Sequence, residues 1–121
     1  MTILSAEAKA LIQETHPGFI ATASKSGRPN VSLKGSFRVL DDEHVAFADI
    51  HSPNTIANLT ENPQVAAMVF EPSSRHGCRI WGTAEILSSG ALFDQTNAEL
   101  AKRNMQANHL VVVSVTEFIV F

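Results

Sequence analysis

The sequence predicts a mainly β fold, a six-stranded antiparallel barrel with short flanking helices. Short apolar or alternating segments recur along the 121 residues, turn-rich stretches separate them, and three segments carry helical spacing instead. Closure of the sheet removes the open edges that six strands would otherwise expose. A chain of this length can bury one core, so we expect a single domain over residues 1–121.

The first and third helices have faces suited to packing on a sheet. Ser5 is a good N-cap, apolar residues follow it at intervals of three and four, and HPG at 16–18 ends the first helix. A third helix is predicted from Gly90 to Asn104, with apolar residues along one face. Both helices are therefore expected to cover strands rather than to stand alone.

The longest alternating stretch, residues 31–39, predicts the second strand. Val31, Leu33 and Phe37 fall on one side of it, while polar residues such as Lys34 fall on the other. We therefore expect the first side to face the core and the second to be polar. The other five strands are predicted at 19–23, 44–49, 65–70, 78–87 and 109–121.

The composition narrows the classes of partner. Hydrophobic residues make up 45% of the chain and charged residues 17%, which is below the roughly 25% of an average soluble domain, so apolar surface should meet another subunit or a ligand. The net charge of −3 argues against nucleic acid. Cys78 is the single cysteine, which predicts a buried thiol and no internal disulfide. No leader or membrane span is evident, so we expect a cytoplasmic protein.

The segment SPNTIANLTENP at 52–63 predicts the second helix and raises a question about its first turn. Ser52 can cap this helix, Pro53 suits its first position, and Pro63 disfavours helical geometry in Asn62. The unpaired N–H groups of a first turn, together with the helix dipole, can bind an anion. From the residues alone, a capped connector and an anion site both remain open.

Familiar catalytic motifs are absent from the sequence. It contains no glycine-rich phosphate loop, no G-x-S-x-G and no H-E-x-x-H. The five histidines are scattered, and we interpret them as surface residues. His76 and Cys78 are too few for a structural zinc site, so no metal is expected. Any chemistry should therefore come from a bound cofactor.

Five segments follow one another in an order that points to a family. They are PNVSLK, a DD turn, VAFAD, TIANLTENPQVAAMVF and RIWGTAEI. Together they resemble the pyridoxamine phosphate oxidase-like FMN-binding split-barrel proteins, above all the short versions that are little more than the FMN-binding barrel. The resemblance runs from about Gly18 to Leu87. It implies a split β-barrel that binds FMN noncovalently, in a homodimer whose flavin lies in the groove between the subunits.

The resemblance also implies a site at one end of the barrel. The second strand would run along the pyrimidine side of the flavin, and Lys34 would reach the phosphate. The end of the third strand and the start of the second helix would complete the phosphate pocket, while Trp81 could come from the opposite chain. The implied flavin-binding residues are Val31, Ser32, Leu33, Lys34, Phe47, Ala48, Asp49, Asn54, Thr55, Asn58 and Trp81.

The function implied by the resemblance is that of an FMN-dependent oxidoreductase or electron-transfer protein, with a small molecule as electron donor or acceptor. Members that oxidise pyridoxamine phosphate have an Arg-Lys pair where this chain has Asn54 and Thr55, and they continue into a substrate-binding segment beyond the position of Phe121. That activity is therefore not expected here. Two alternatives stay open: a deazaflavin (F420)-dependent reductase, and a non-enzymatic module that binds flavin or haem.

Overall fold

The computed structural model describes residues 2–121, and in that range the chain forms one antiparallel sheet of seven strands. The sheet curls around a single main core, which confirms the mainly β, barrel-like class. The strands are bonded in the order β2-β1-β5-β6-β7-β4-β3. Their bounds are Gly18–Ala23 (β1), Pro29–Lys34 (β2), Arg38–Val39 (β3), His44–Asp49 (β4), Gln64–Glu71 (β5), His76–Leu87 (β6) and His109–Val120 (β7).

The prediction of six strands was wrong by one, because the stretch 31–39 is two strands rather than one. The chain turns between β2 and β3, where the Phe37 N–H donates to the Lys34 carbonyl over 3.4 Å. This turn breaks the alternation that the sequence suggested. Phe37 is buried at 1% exposure, whereas Val31 and Leu33 are exposed by 66% and 60%. The polar side of β2, and not its apolar side, faces inward.

Within the described residues, three helices accompany the sheet: α1 (Ala6–Glu14), α2 (Pro53–Glu61) and α3 (Ala91–Ala101). The predicted cap of α1 is confirmed, since the Ser5 Oγ accepts a hydrogen bond from the Ala8 N–H over 3.1 Å. Helix α3 is shorter than predicted, because the chain leaves helical geometry and Asn104 takes a positive φ of 58°. Among the described residues, no helix is both long and apolar enough to cross a membrane.

The core lies between the curled sheet and the helices α1 and α2. Alternate residues of β5, β6 and β7 point into it, and Leu4, Ala8 and Ile12 close it from the side of α1. Cys78 is one of these inward residues, so the prediction of a buried free thiol is confirmed. Burial raises the pKa of the Cys78 thiol to about 11, and the group therefore stays protonated and unreactive.

Candidate functional site

The inward face of β2 lies against the first turn of α2. Thr55, only 1% exposed, sits where the two elements meet. Its Oγ1 accepts a hydrogen bond from Asn30 Nδ2 over 3.4 Å and lies 3.2 Å from the hydroxyl of Ser32. The polar residues of β2 can turn inward because the start of this helix provides partners for them.

Lys34 ends β2 as a buried cation at the start of α2. Its Nζ donates to the Ser52 Oγ and lies 6.0 Å from the centroid of the Phe47 ring. Burial lowers the pKa of Lys34, while the nearby carboxylate of Asp49 acts to raise it. Contrary to the prediction, the Ser52 side chain makes no capping hydrogen bond to α2, and its hydroxyl accepts from Lys34 instead.

Asp49 holds the loop that joins β4 to α2. Its Oδ1 accepts the Ser52 N–H over 2.8 Å, and its Oδ2 lies 2.7 Å from the Nδ1 of His109 at the start of β7. Both oxygens of this buried carboxylate thus have partners within the chain. Asp49 fixes Ser52, and Ser52 in turn contacts Lys34.

A cavity of about 1050 Å³ opens beside Lys34 and Ser52. On one side it is bounded by the turn between β2 and β3, and on the other by α3. Its volume is slightly above the roughly 300–1,000 Å³ that is usual for small-molecule sites. Leu33, Lys34 and Ala48 are the predicted flavin-binding residues that line it.

The other predicted site residues lie around this cavity or away from it. Asn54 is exposed on the first turn of α2, while Phe47 is buried in the core. Asn58 is turned toward β1, where its Nδ2 donates to the Thr22 Oγ1 over 3.1 Å. Ser32 and Thr55 contact each other between β2 and α2. The structure therefore brings together the ends of β2 and β4 and the start of α2.

Val31 and Trp81 lie on the outward face of the sheet, apart from the cavity. The pairings of β2, β1, β5 and β6 place Val31, Ala21, Ala66 and Trp81 in one row across four strands. The next row contains Leu33, Phe19, Met68 and Arg79. We call these two rows the outer face; it is largely apolar and partly exposed to solvent.

Two residues near the site were missed by sequence reasoning. His109 was interpreted as a surface histidine but pairs with buried Asp49, and Arg38 contacts α3 with its guanidinium. Only the pairing of β4 with β7 brings Asp49 opposite His109, which is 60 residues later. A histidine at the predicted start of a strand was the available signal, and it did not identify the partner.

The pyridoxamine 5'-phosphate oxidase family model matches residues 4–119 of this chain. The chain belongs to that family. An uncharacterised protein of Methanocaldococcus jannaschii is 35% identical to it over 104 residues, which cover 82% of this chain and 68% of that protein. Membership of a family does not by itself specify the activity of a chain, which depends on the residues of its site.

Several solved structures share the fold. HupZ of Group A Streptococcus matches with a TM-score of 0.90 at 24% identity, covering 98% of this chain and 94% of that one. An FMN-binding protein from Syntrophomonas wolfei subsp. wolfei matches with a TM-score of 0.84 at 19% identity, covering 93% and 82%. An F420 reductase and the haem storage protein HutZ of Vibrio cholerae also match, with TM-scores of 0.75 and 0.68. At these identities the likeness establishes the fold alone.

Proposed function

We propose that this chain is a flavoprotein subunit that binds FMN noncovalently beside β2 and α2. The observation that carries the proposal is Lys34, a buried cation held at the start of a helix and open to a large cavity. A phosphate group suits this position because it meets a point charge and the first-turn N–H groups of α2 together. The FMN-binding relative of the same fold supports the choice of ligand.

The donor set fits a phosphate and not a metal cation. Lys34 supplies a charge, Ser52 a hydroxyl, and the first turn of α2 backbone N–H groups that its Ser52 side chain does not cap. Asp49 acts on Lys34 through its charge, but its two oxygens form hydrogen bonds with Ser52 and His109 and none with the Lys34 ammonium, whose donors therefore stay available to a phosphate. In this proposal Asp49 positions the loop and does not contact the cofactor.

The flavin supplies the redox chemistry when bound, through its isoalloxazine ring. The role of the chain is to bind and orient it. Lys34, Asn54 and Thr55 lie at the phosphate end, and the backbone of Val31, Ser32 and Leu33 would follow the ring. No side chain is assigned as an acid or base. Pyridoxamine phosphate oxidation is not proposed, since Asn54 and Thr55 stand in place of the Arg-Lys pair.

We propose further that a second copy of the chain covers the outer face. Val31 and Leu33 expose 66% and 60% of their surface there, and the neighbouring residues of β1 and β5 extend the apolar area. Contiguous apolar patches of this kind mark interaction sites in soluble proteins. A homodimer would place Trp81 of one copy near β2 of the other, with the flavin in the groove between them.

The cytoplasmic location of the protein also stays a prediction.

The visible spectrum of the freshly purified protein tests the cofactor. A flavoprotein shows two flavin absorption bands in the near ultraviolet and the blue, whereas bound haem gives a single intense Soret band and a deazaflavin a single band. Reduction of the bound flavin by a reduced nicotinamide, coupled to an electron acceptor, would support the enzyme. A flavin that reduced nicotinamide cannot reduce would favour the binding module, and a haem or deazaflavin spectrum would contradict the proposal.

A further inference from the structure

Arg38 is a half-buried cation that the proposed flavin site does not use. It lies in β3, just after the turn that follows Lys34, and its Nη2 donates to the Thr96 Oγ1 on α3 over 2.8 Å. Across residues 2–121, no carboxylate forms a salt bridge with it. A guanidinium carries five N–H donors, and one neutral hydroxyl leaves most of them without a partner in the chain.

Burial of a charge costs free energy unless the charge is paired, so an anion that binds the half-buried guanidinium of Arg38 offsets part of this cost. Burial lowers the pKa of Arg38, and the more distant Glu99 acts to raise it. Arginine nevertheless keeps its proton in proteins. Every fully buried side-chain nitrogen or oxygen in the described part of the chain has a hydrogen-bond partner, so the free nitrogens of Arg38 reach open space.

That open space is the part of the cavity next to α3. Three cations, Lys34, Arg38 and Arg103, line the cavity, and Glu99 is the one acidic residue among its described lining residues. The chain as a whole carries a net charge of −3, so the cavity is positive within an acidic protein. A cleft lined by one sign of charge raises the local concentration of ligands of the other sign.

Apolar side chains also line the cavity. Ile50, Leu92 and Met105 line it and are each partly exposed. Leu92 lies one turn before Thr96 on α3, and Thr96 is the residue that holds Arg38. The cavity thus combines guanidinium N–H donors that have no partner in the chain with apolar side chains. This combination suits a ligand with one anionic group and an apolar body.

We propose that the α3 end of the cavity binds a small organic carboxylate, anchored by the guanidinium of Arg38. The planar fork of the guanidinium matches the two oxygens of a carboxylate. Ile50, Leu92 and Met105 contact the apolar body of the ligand. This site goes beyond FMN binding and does not depend on it, since Arg38 takes no part in the proposed phosphate pocket.

Titration of flavin-free protein with benzoate, followed by NMR, tests the site. Benzoate should shift the resonances of α3 and of the turn between β2 and β3, with saturation. Benzamide has nearly the same shape without the charge and should bind at least about 10-fold more weakly. Because no flavin is present, a failure of FMN binding in other experiments leaves this test unchanged.

Substitution of Arg38 should remove most of the affinity for benzoate. Arg38→Gln loses the charge-assisted pair, so the dissociation constant should rise roughly 10- to 100-fold. Arg38→Lys keeps the charge without the planar fork, so its dissociation constant for benzoate should lie between those of wild type and Arg38→Gln. Arg28→Gln removes an exposed arginine from the turn between β1 and β2 and is the matched control, with benzoate affinity unchanged.

Glu99→Gln should change the benzoate affinity in the opposite direction. Glu99 is exposed, and its removal should tighten benzoate binding by about two-fold, an effect that damage to the fold would not produce. The proposal is overturned if benzoate causes no saturable shift, if benzamide binds as well as benzoate, or if Arg38→Gln binds benzoate as wild type does. It is also overturned if Lys34→Ala abolishes benzoate binding while Arg38→Gln does not.

Discussion

The two faces of β2 are built in opposite ways. Toward the inside it presents Ser32 and Lys34, both in contact with residues at the start of α2. Toward the outside it presents Val31 and Leu33, which lie open to solvent. The usual arrangement of a half-buried strand is the reverse, with apolar residues inside and polar residues outside.

We infer from this difference that the polar face is stabilised by residues of the same chain and the apolar face by a second molecule. The polar face has partners within the same chain, because Thr55 and Ser52 accept or share its hydrogen bonds. The apolar face gains nothing from exposure and is stabilised only when another molecule covers it. β2 thus connects a phosphate site on one side with a subunit contact on the other, as we propose.

The largest expected effect concerns the outer face. Val31→Asp should break the proposed homodimer, because it places an uncompensated charge of each subunit in an apolar contact, at a cost of roughly 3–5 kcal/mol. The dimer dissociation constant should rise at least about 100-fold. Sedimentation velocity at micromolar concentration should then show a monomer in place of the wild-type dimer.

Ile3→Asp is the matched control for this experiment. Ile3 is 65% exposed, almost the same as Val31 at 66%, but it precedes α1 and lies off the outer face. The Ile3→Asp protein should remain dimeric. A wild-type monomer, or equal dissociation by both substitutions, would contradict the assignment of the outer face to a second copy.

The inner face is tested by Lys34→Ala. This change removes one charge-assisted hydrogen bond to the FMN phosphate, worth roughly 1.5–3 kcal/mol, and should weaken FMN roughly 10- to 100-fold. Riboflavin, which lacks the phosphate, should bind as before. Flavin fluorescence titration measures both ligands. Lys25→Ala, at an exposed lysine before β2, is the control, and equal losses for FMN and riboflavin in Lys34→Ala would indicate a damaged fold instead.

The charge of Lys34 should make FMN binding sensitive to alkaline pH. Burial, only partly offset by Asp49, lowers the pKa of Lys34 below its usual value of 10.5. The cation that binds phosphate is present below the shifted pKa and is lost as the pH rises through it. FMN affinity should therefore fall on the alkaline side before an exposed lysine titrates, and this dependence should disappear in Lys34→Ala. An equal slope in both proteins would assign it to another group.

The smallest expected effect belongs to Thr55. Thr55→Val keeps the shape but removes the hydroxyl shared by Asn30 and Ser32, which should lower the free energy of unfolding by about 0.5–1.5 kcal/mol. Urea unfolding measures it. Thr60→Val, on the exposed side of the same helix, removes a hydroxyl bonded only to the Ile56 carbonyl and should cost less. Equal losses of unfolding free energy would mean that the Thr55 hydroxyl, between β2 and α2, contributes no more to stability than an exposed hydroxyl of the same helix.

Local signals in the sequence predicted much of the fold. The cap at Ser5, the proline-bounded helix after Ser52 and the strands β5 and β6 each depend on residues close together in the chain. Side-chain chemistry within a few positions decides such elements. The family resemblance added the split form of the barrel and the placement of Lys34 at the end of β2, next to α2.

Long-range pairing decided what the sequence did not predict. The orientation of β2 depends on the turn after Lys34 and on α2 lying beneath it, so alternation assigned Val31 and Leu33 to the wrong side. Asp49 meets His109 only because β4 pairs with β7. Neither fact is contained in the spacing of nearby residues, since both arise when distant segments pack.

The ratio of FMN affinity to riboflavin affinity in the wild-type protein tests the central claim most directly. The two ligands share the ring and differ in the phosphate, which we assign to Lys34 and the first turn of α2. Fluorescence titration of flavin-free protein should give at least about 10-fold tighter binding of FMN, from one or more charge-assisted hydrogen bonds. Equal affinities would contradict the phosphate site and leave α2 a connector.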